Sequence, residues 1–215
     1  MPKQKPARRK YDSSRRQKQA RETKMQIVQA ARALFMERGY PGTTIEAIAS
    51  QAGVSQETVY AIFKNKRNIL SFLLDISVGG DDRPIPILDR PQPQEIMHDT
   101  DQHRQIAMFA RDITEILARV TPVFEIMRGA AKSEPEIANL LKHMLDERLQ
   151  NMIRFVSSVA ANGKLRDGMT EKDAGEIAWT VTSPEIFHLL NTDRGWAKEK
   201  YIQWLTDTLT RLLLP

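Results

Sequence analysis

The chain has 215 residues, 41% of them hydrophobic and 27% charged, with a net charge of +5 and no cysteine. That length supports a substantial core, in one domain or two small ones. Without cysteine there is no disulfide framework, no thiolate metal site and no cysteine nucleophile, which fits a reducing cytoplasm. The basic first residues are followed by no apolar stretch, and no run approaches the roughly 20 apolar residues of a membrane span. The expectation is a soluble cytoplasmic protein with no secretory signal.

The charge is uneven. Residues 1–24 carry ten basic side chains against Asp12 and Glu22, so the remaining 191 residues sum to −3. A basic block beside a mildly acidic body points to a polyanionic partner, either nucleic acid or an anionic membrane surface. Residues 1–20 bring two prolines and almost nothing apolar, so they are expected to form a disordered arm.

From about Arg21 a helix reads clearly. Ile27, Ala31, Leu34 and Phe35 make one buried stripe, and Gly39 stops it. Thr43 and Glu46 are spaced as a capping box for a second, short helix that turns Ile45, Ile48, Ala49 and Ala52 inward. Gly53 gives the backbone freedom for a turn, Val54 plugs the angle, and Ser55 caps a third helix of about eight residues. A fourth runs from about Lys66 to Ser77.

Residues 78–93 hold two glycines together with Pro84, Pro86, Pro91 and Pro93, and read as a loop packed down by Ile85, Ile87 and Leu88. Beyond it the pattern predicts helices over about 94–119, from Thr121-Pro122 to Lys132, from Pro135 to a left-handed Asn162-Gly163 cap, from Thr170 to a break at Ser183-Pro184, and over about 196–214. No period-2 signal or internal repeat is present, so the fold class is all-α.

Two short helices joined by a glycine-containing turn are the signature of a helix-turn-helix, whose second helix reads the major groove. Its first residues here are Gln56, Glu57 and Thr58, then Tyr60 and Ala61. Gln56 suits adenine, Glu57 the cytosine amino group, Thr58 and Tyr60 offer hydroxyls to phosphate, and Ala61 fits a thymine methyl. Glu57 either reads a base or turns back onto its own helix dipole. Lys66 adds a charge and a helix N-terminus.

The stretch Gly39-Tyr40, Thr43-Thr44, Ile48-Ala49, Ala52-Gly53-Val54-Ser55, Thr58-Val59-Tyr60, Phe63 and Lys64-Asn65-Lys66 resembles the N-terminal signature of TetR-family transcriptional regulators. The C-terminal stretch from Val181 to Pro215 is also similar to the ending of a common subgroup. Glu57 and Ala61 depart from it, since members often place a small residue at the first position and a bulkier one at the second. The resemblance implies a DNA-binding domain over 21–66 with contacts from Thr44, Gln56, Glu57, Thr58, Tyr60, Ala61, Lys64 and Lys66, and a ligand-binding and dimerisation domain over 67–215.

It further implies a homodimer on double-stranded DNA, formed by the last two helices, with Ile177, Val181, Ile186, Leu189, Leu205, Leu209 and Leu212 as interface candidates. A small-molecule pocket is implied in the middle helices, with Met108, Phe109, Phe124, Met127, Phe155 and Trp179 as candidate lining and Arg128 or His188 as polar anchors. The expected function is a repressor released from a palindromic operator by a small molecule. Its rival is a helical scaffold whose arm binds RNA or an anionic membrane. No cofactor fingerprint or nucleophile motif is present, and His98 and His103 are spaced i, i+5 on different helix faces, so neither enzyme activity nor metal binding is expected.

Overall fold

The computed structural model describes residues 13–215, which form helices and no strand among the described residues. In chain order they are α1 (Ser13–Arg38), α2 (Ile45–Ala52), α3 (Gln56–Phe63), α4 (Lys66–Gly79), α5 (Pro91–His98), α6 (Gln102–Ala130), α7 (Pro135–Ala160), α8 (Glu171–Val181), α9 (Pro184–Phe187) and α10 (Lys198–Leu213). A 3₁₀ turn at Ile87–Asp89 precedes α5, and a π-helical turn at His188–Asp193 follows α9.

The helices build two connected layers. α1 packs on α2 and α4, while α6 lies at the centre against α4, α7, α9 and α10, with α8 along α7. α1 and α4 run antiparallel: Tyr40, just past the end of α1, meets Lys66 at the start of α4, and Arg21 meets Asp82, just past α4's other end. One continuous core results, from Ile27 and Phe35 in α1 through Leu70 and Leu73 in α4 to Ile106, Phe124, Val156 and Leu205.

Several expected boundaries move. α1 begins at Ser13, eight residues before Arg21, so residues 13–20 are helical instead of disordered; residues 1–12 of the arm lie outside the described residues. Residues 14–22 are all exposed, and a helix already nucleated on the buried stripe propagates outward through good formers such as Arg, Gln, Lys and Ala. The proline-rich segment also holds more structure than its composition suggests. Pro91 and Pro93 fall in the first turn of α5, where a missing N–H costs nothing.

The helix expected over 94–119 is two. α5 ends at His98, and α6 starts afresh at Asp101, whose carboxylate accepts the Arg104 N–H at 3.0 Å. Conversely, Thr121-Pro122 opens no helix, because α6 continues through Pro122 to Ala130. Val120, Val123, Phe124 and Met127 bury around that site, which offsets the roughly 3 kcal/mol an internal proline costs. Asn162-Gly163 is not a left-handed cap: α7 ends at Ala160 with a right-handed Ala161. Gly163 instead lies against the Gln102 amide, whose Oε1 would be 2.6 Å from an added Cβ and could swing aside. The capping box at Thr170 and Asp173 is present with both bonds, and Ser183 caps α9.

Candidate functional site

The α2–α3 corner is built from local hydrogen bonds. Thr44, not Thr43, caps α2, accepting the Ala47 N–H at 3.1 Å. Thr43 is buried and donates its hydroxyl to Gly39 O at 2.8 Å. Gly53 takes φ +67°, which folds Val54 N–H back onto Ala49 O. Ser55 Oγ then accepts the Thr58 N–H and opens α3.

α3 is divided lengthwise. Val59 and Phe63 are buried against the rest of the domain, whereas Gln56, Glu57, Tyr60 and Ala61 face solvent. Tyr60 is 50% exposed, one of few large apolar side chains left in water, and it lies on the face a helix-turn-helix presents to DNA. Lys64, exposed at α3's end, adopts φ +67°.

Four of the expected DNA contacts have intramolecular partners, Thr44 through its cap on α2. Glu57 turns back onto its own backbone N–H and then the Ser55 hydroxyl, which together hold its carboxyl below the usual range. The Thr58 hydroxyl lies 3.1 Å from Ser55 Oγ. Lys66 differs most from its expected setting, because two of its ammonium's three donors are taken by backbone carbonyls. It donates to Tyr40 O and Thr43 O at 2.7 and 2.9 Å and sits 4.1 Å from the Tyr40 ring centre. Burial pushes its pKa down, with Glu134 and Glu136 opposing. Lys66 thus staples the α1–α2 connection to α4. Among the arm's cations, Arg21 forms a two-pronged ion pair with Asp82, and Lys24 lies 3.5 Å over the Phe72 ring centre.

The second feature is a cavity of about 880 Å³ between α4, the 81–90 loop, α5, α6 and α7. Such a volume suits a drug-sized molecule. Phe109, Phe124 and Phe155 of the expected set line it, and the Phe109 and Phe155 rings stack at 3.8 Å. Met108, Met127, Arg128, Trp179 and His188 do not. Met127 is wholly buried in core, Arg128 pairs with Glu185, and His188 lies between Glu125 and Asp193. Trp179 packs under Arg148 and donates its indole N–H to Leu145 O. Charged lining residues were missed by sequence, Asp112 and Arg148 above all. The available signal was Asp112 interrupting the apolar stripe between Phe109 and Ile113.

The loop that closes the cavity is braced from within. Buried Arg90 donates to Asp81, Arg83 O and Ile85 O, and Arg83 with Arg90 holds the Asp81 carboxyl far below its ordinary pKa. Arg119 of α6 ties down the end of α4 through Ser77 O and Val78 O at 3.0 and 3.2 Å.

Of the expected dimer residues, Leu205 and Leu209 are wholly buried within the chain and have no surface to offer a second copy. They sit on the inner stripe of α10, which packs on α6. Ile177, Val181, Ile186 and Leu212 are half-buried, and Leu189 is 52% exposed. Among the described residues no group of three or more His, Asp and Glu is placed to hold a metal, and no helix is long and apolar enough to cross a membrane.

The family described as "Bacterial regulatory proteins, tetR family" matches residues 27–71, the segment from mid-α1 into α4. That segment, and not the rest of the chain, carries the likeness to the tetR family. The chain is 44% identical over 62 residues to the fatty acid metabolism regulator protein of Bacillus subtilis, covering 29% of this chain and 32% of that protein. The match thus spans about a third of that relative's length. The likeness to the transcriptional repressor BepR of Brucella suis is 24% over 184 residues, 83% of this chain and 85% of the other. The crystal structure of the regulator FadR from Bacillus subtilis in complex with stearoyl-CoA shares the fold, with a TM-score of 0.67 and 20% identity over 86% of this chain and 96% of that one.

Proposed function

We propose that the protein is a sequence-specific DNA-binding regulator, a repressor that leaves a palindromic operator when a small molecule enters the cavity. The observation that carries the reading is α4. Its first residue, Lys66, is stapled to the helix-turn-helix, and its last turns form a cavity wall. A ligand that favours a different position of α4 therefore shifts the reader with it, as a two-state equilibrium requires. FadR holding stearoyl-CoA in the same fold supports a ligand-responsive reading.

In this reading residues 21–66 bind DNA and residues 67–215 sense the ligand and dimerise, in the cytoplasm and without a cofactor or enzymatic step. Gln56, Tyr60 and Ala61 are the base and phosphate contacts. Thr44, Glu57, Thr58 and Lys64 stand at the helix ends around them, with Glu57 and Thr58 released from Ser55 on binding. The homodimer uses α8, α9 with the turn after it, and the outer side of α10, through Ile177, Val181, Ile186, Leu189 and Leu212. One reader is too short to be specific, so paired half-sites roughly 34–36 Å apart, or a multiple of that, are expected.

The test is selection of bound duplexes from a random double-stranded library at near-physiological salt. An enriched palindrome supports the regulator and supplies its operator. Tight, salt-sensitive binding without enrichment would point to the basic arm acting alone. Deleting residues 1–20 separates the readings further: a regulator keeps weaker, site-specific duplex binding, whereas an arm-driven RNA or membrane binder loses all of it.

A further inference from the structure

α1 and α4 are fastened at both ends, and the two fastenings differ in kind. Near α3, half-buried Lys66 bonds backbone carbonyls. At the other end, with roughly 25 Å of helix between Arg38 and Arg21, the contacts come from charges of the basic N-terminal block. Arg21 and Lys24 are spaced i, i+3 and share the face of α1 that meets α4.

Arg21 holds Asp82, just past α4, through two guanidinium nitrogens, and the Asp82 side chain is only 13% exposed. Lys24 stands 3.5 Å from the Phe72 ring centre of α4 and 5.7 Å from that of Phe63 in α3. Its charge also acts on Asp75, one turn beyond Phe72. Desolvation raises that carboxyl's pKa, Glu147 adds to the shift, and Lys24 opposes it. Two cations of the basic block are thus engaged by α4 and the 81–90 loop. Arg15 and Lys18, farther out on α1, are exposed, and Lys18 lies 4.0 Å from Glu22 of its own helix. Solvated ion pairs and cation–ring contacts stabilise a fold weakly, so a polyanion with many phosphates competes with them readily.

We infer that α4 and the loop after it restrain the basic block in cis: Asp82, Asp75 and the Phe72 ring clasp Arg21 and Lys24, so that duplex DNA of any sequence meets the block with those two cations withheld. The clasp lowers non-specific binding without touching the outer face of α3, and so widens the gap between operator and random sequence. The coupling is reciprocal. Displacement of the 81–90 loop frees the cations, and a polyanion that captures them frees the loop. The choice of duplex DNA as the polyanion rests on the regulator reading; the clasp does not.

The experiment titrates the full chain into a fluorescent random-sequence duplex at several salt concentrations and reads the slope of log affinity against log salt. That slope counts the phosphates neutralised, at about 0.9 per contact. D75N/D82N should open the clasp and steepen the slope by about two units. R21Q/K24Q should leave the wild-type slope within about half a unit, yet return the D75N/D82N slope to the wild-type value. D146N/D207N removes two exposed acids from α7 and α10, matches the change in net charge, and should not alter the slope. Thermal melts establish that every variant is folded. A wild-type slope that falls by about two units with R21Q/K24Q places both cations on DNA already and overturns the clasp. An unchanged slope in D75N/D82N, or an equal change in D146N/D207N, also overturns it. Heparin, titrated in parallel, separates the clasp from the regulator reading. If heparin alone is bound and its slopes shift in the stated order, the clasp stands and DNA reading falls. If neither polyanion shows the shift, the clasp falls whatever the duplex library selects.

Discussion

The reading face of α3 and the cavity behind α4 are built by opposite means. The first comes from one short stretch whose caps, turn and inner face are neighbours in sequence: Ser55 serves Thr58, Gly53 serves Val54, and Val59 and Phe63 alternate with Tyr60. The second is assembled from four helices and a loop, with stacked rings drawn from Phe109 and Phe155, residues 46 positions apart. The difference teaches where each function is vulnerable. The reader depends on surface side chains with little role in stability, whereas the cavity depends on groups that also hold the domain together or strain it.

The sharpest way to break that contrast is to substitute opposite sides of α3. Phe63→Ala, which removes a buried ring 5.8 Å from Phe72, should cost about 3–5 kcal/mol by denaturant unfolding. Tyr60→Ala should stay within about 0.5 kcal/mol of wild type while weakening operator binding in a gel-shift titration. Comparable losses of stability from both would deny α3 its separate outer face.

Next in size is Gly175→Ala at the α7–α8 crossing. The added Cβ would lie 2.5 Å from Ile153 Cγ1 and 3.0 Å from its Cα, so about 1–3 kcal/mol should be lost in the same assay. Gly53→Ala should cost less, roughly 1–2 kcal/mol, because nothing lies within 4 Å of its Cβ position and only the φ of +67° resists. A larger loss than at Gly175 would mean that the turn is packed, not merely curved.

The smallest effects are on pH dependence, and they have opposite signs in two acids. Asp112 has its folded pKa raised, so its charged form penalises the fold above that pKa, and the penalty fades as pH falls. Asp112→Asn should therefore melt higher than wild type at pH 7, with the gain disappearing in acid. Asp82 has its pKa lowered by Arg21, so its contribution is present above the ordinary carboxylate value and lost as pH falls through the depressed one. Asp82→Asn should melt lower at pH 7, and the difference should close in acid. Thermal melts across pH 3–8 in steps of about one unit read both signs, and matching slopes would contradict the assigned environments.

Much of the helical order was legible because apolar spacing and caps are local signals. Ile27 through Phe35, the Ser55 cap, the Thr170–Asp173 box and the break at Pro184 are all where the pattern places them. The failures share one cause. Pro122 stays inside α6 because burial of its neighbours outweighs its intrinsic cost, and residues 13–20 are helical because a stable helix adjoins them. Leu205 and Leu209 read as interface candidates because an apolar stripe does not state which partner covers it.

The site divides in the same way. The exposure of Gln56, Tyr60 and Ala61 was readable because helical periodicity alone turns them away from Val59 and Phe63. The intramolecular role of Lys66 was not readable, because its two carbonyl acceptors lie 23 and 26 residues earlier, beyond any local pattern. Asp112 and Arg148 both look like ordinary surface charges in sequence, and only the surrounding helices decide that both border the cavity, with one Arg148 nitrogen bonded to Trp179 and Thr182 of α8's end.

By itself, then, the sequence determined the helical fold class, the position of the helix-turn-helix and which side of α3 stays exposed, because caps, turns and periodicity act over a few residues. Which helices continue through their breakers, which stripe is core, and what charge the cavity presents were decided only by the tertiary structure. Burial and ion pairing are properties of residues brought together from distant parts of the chain.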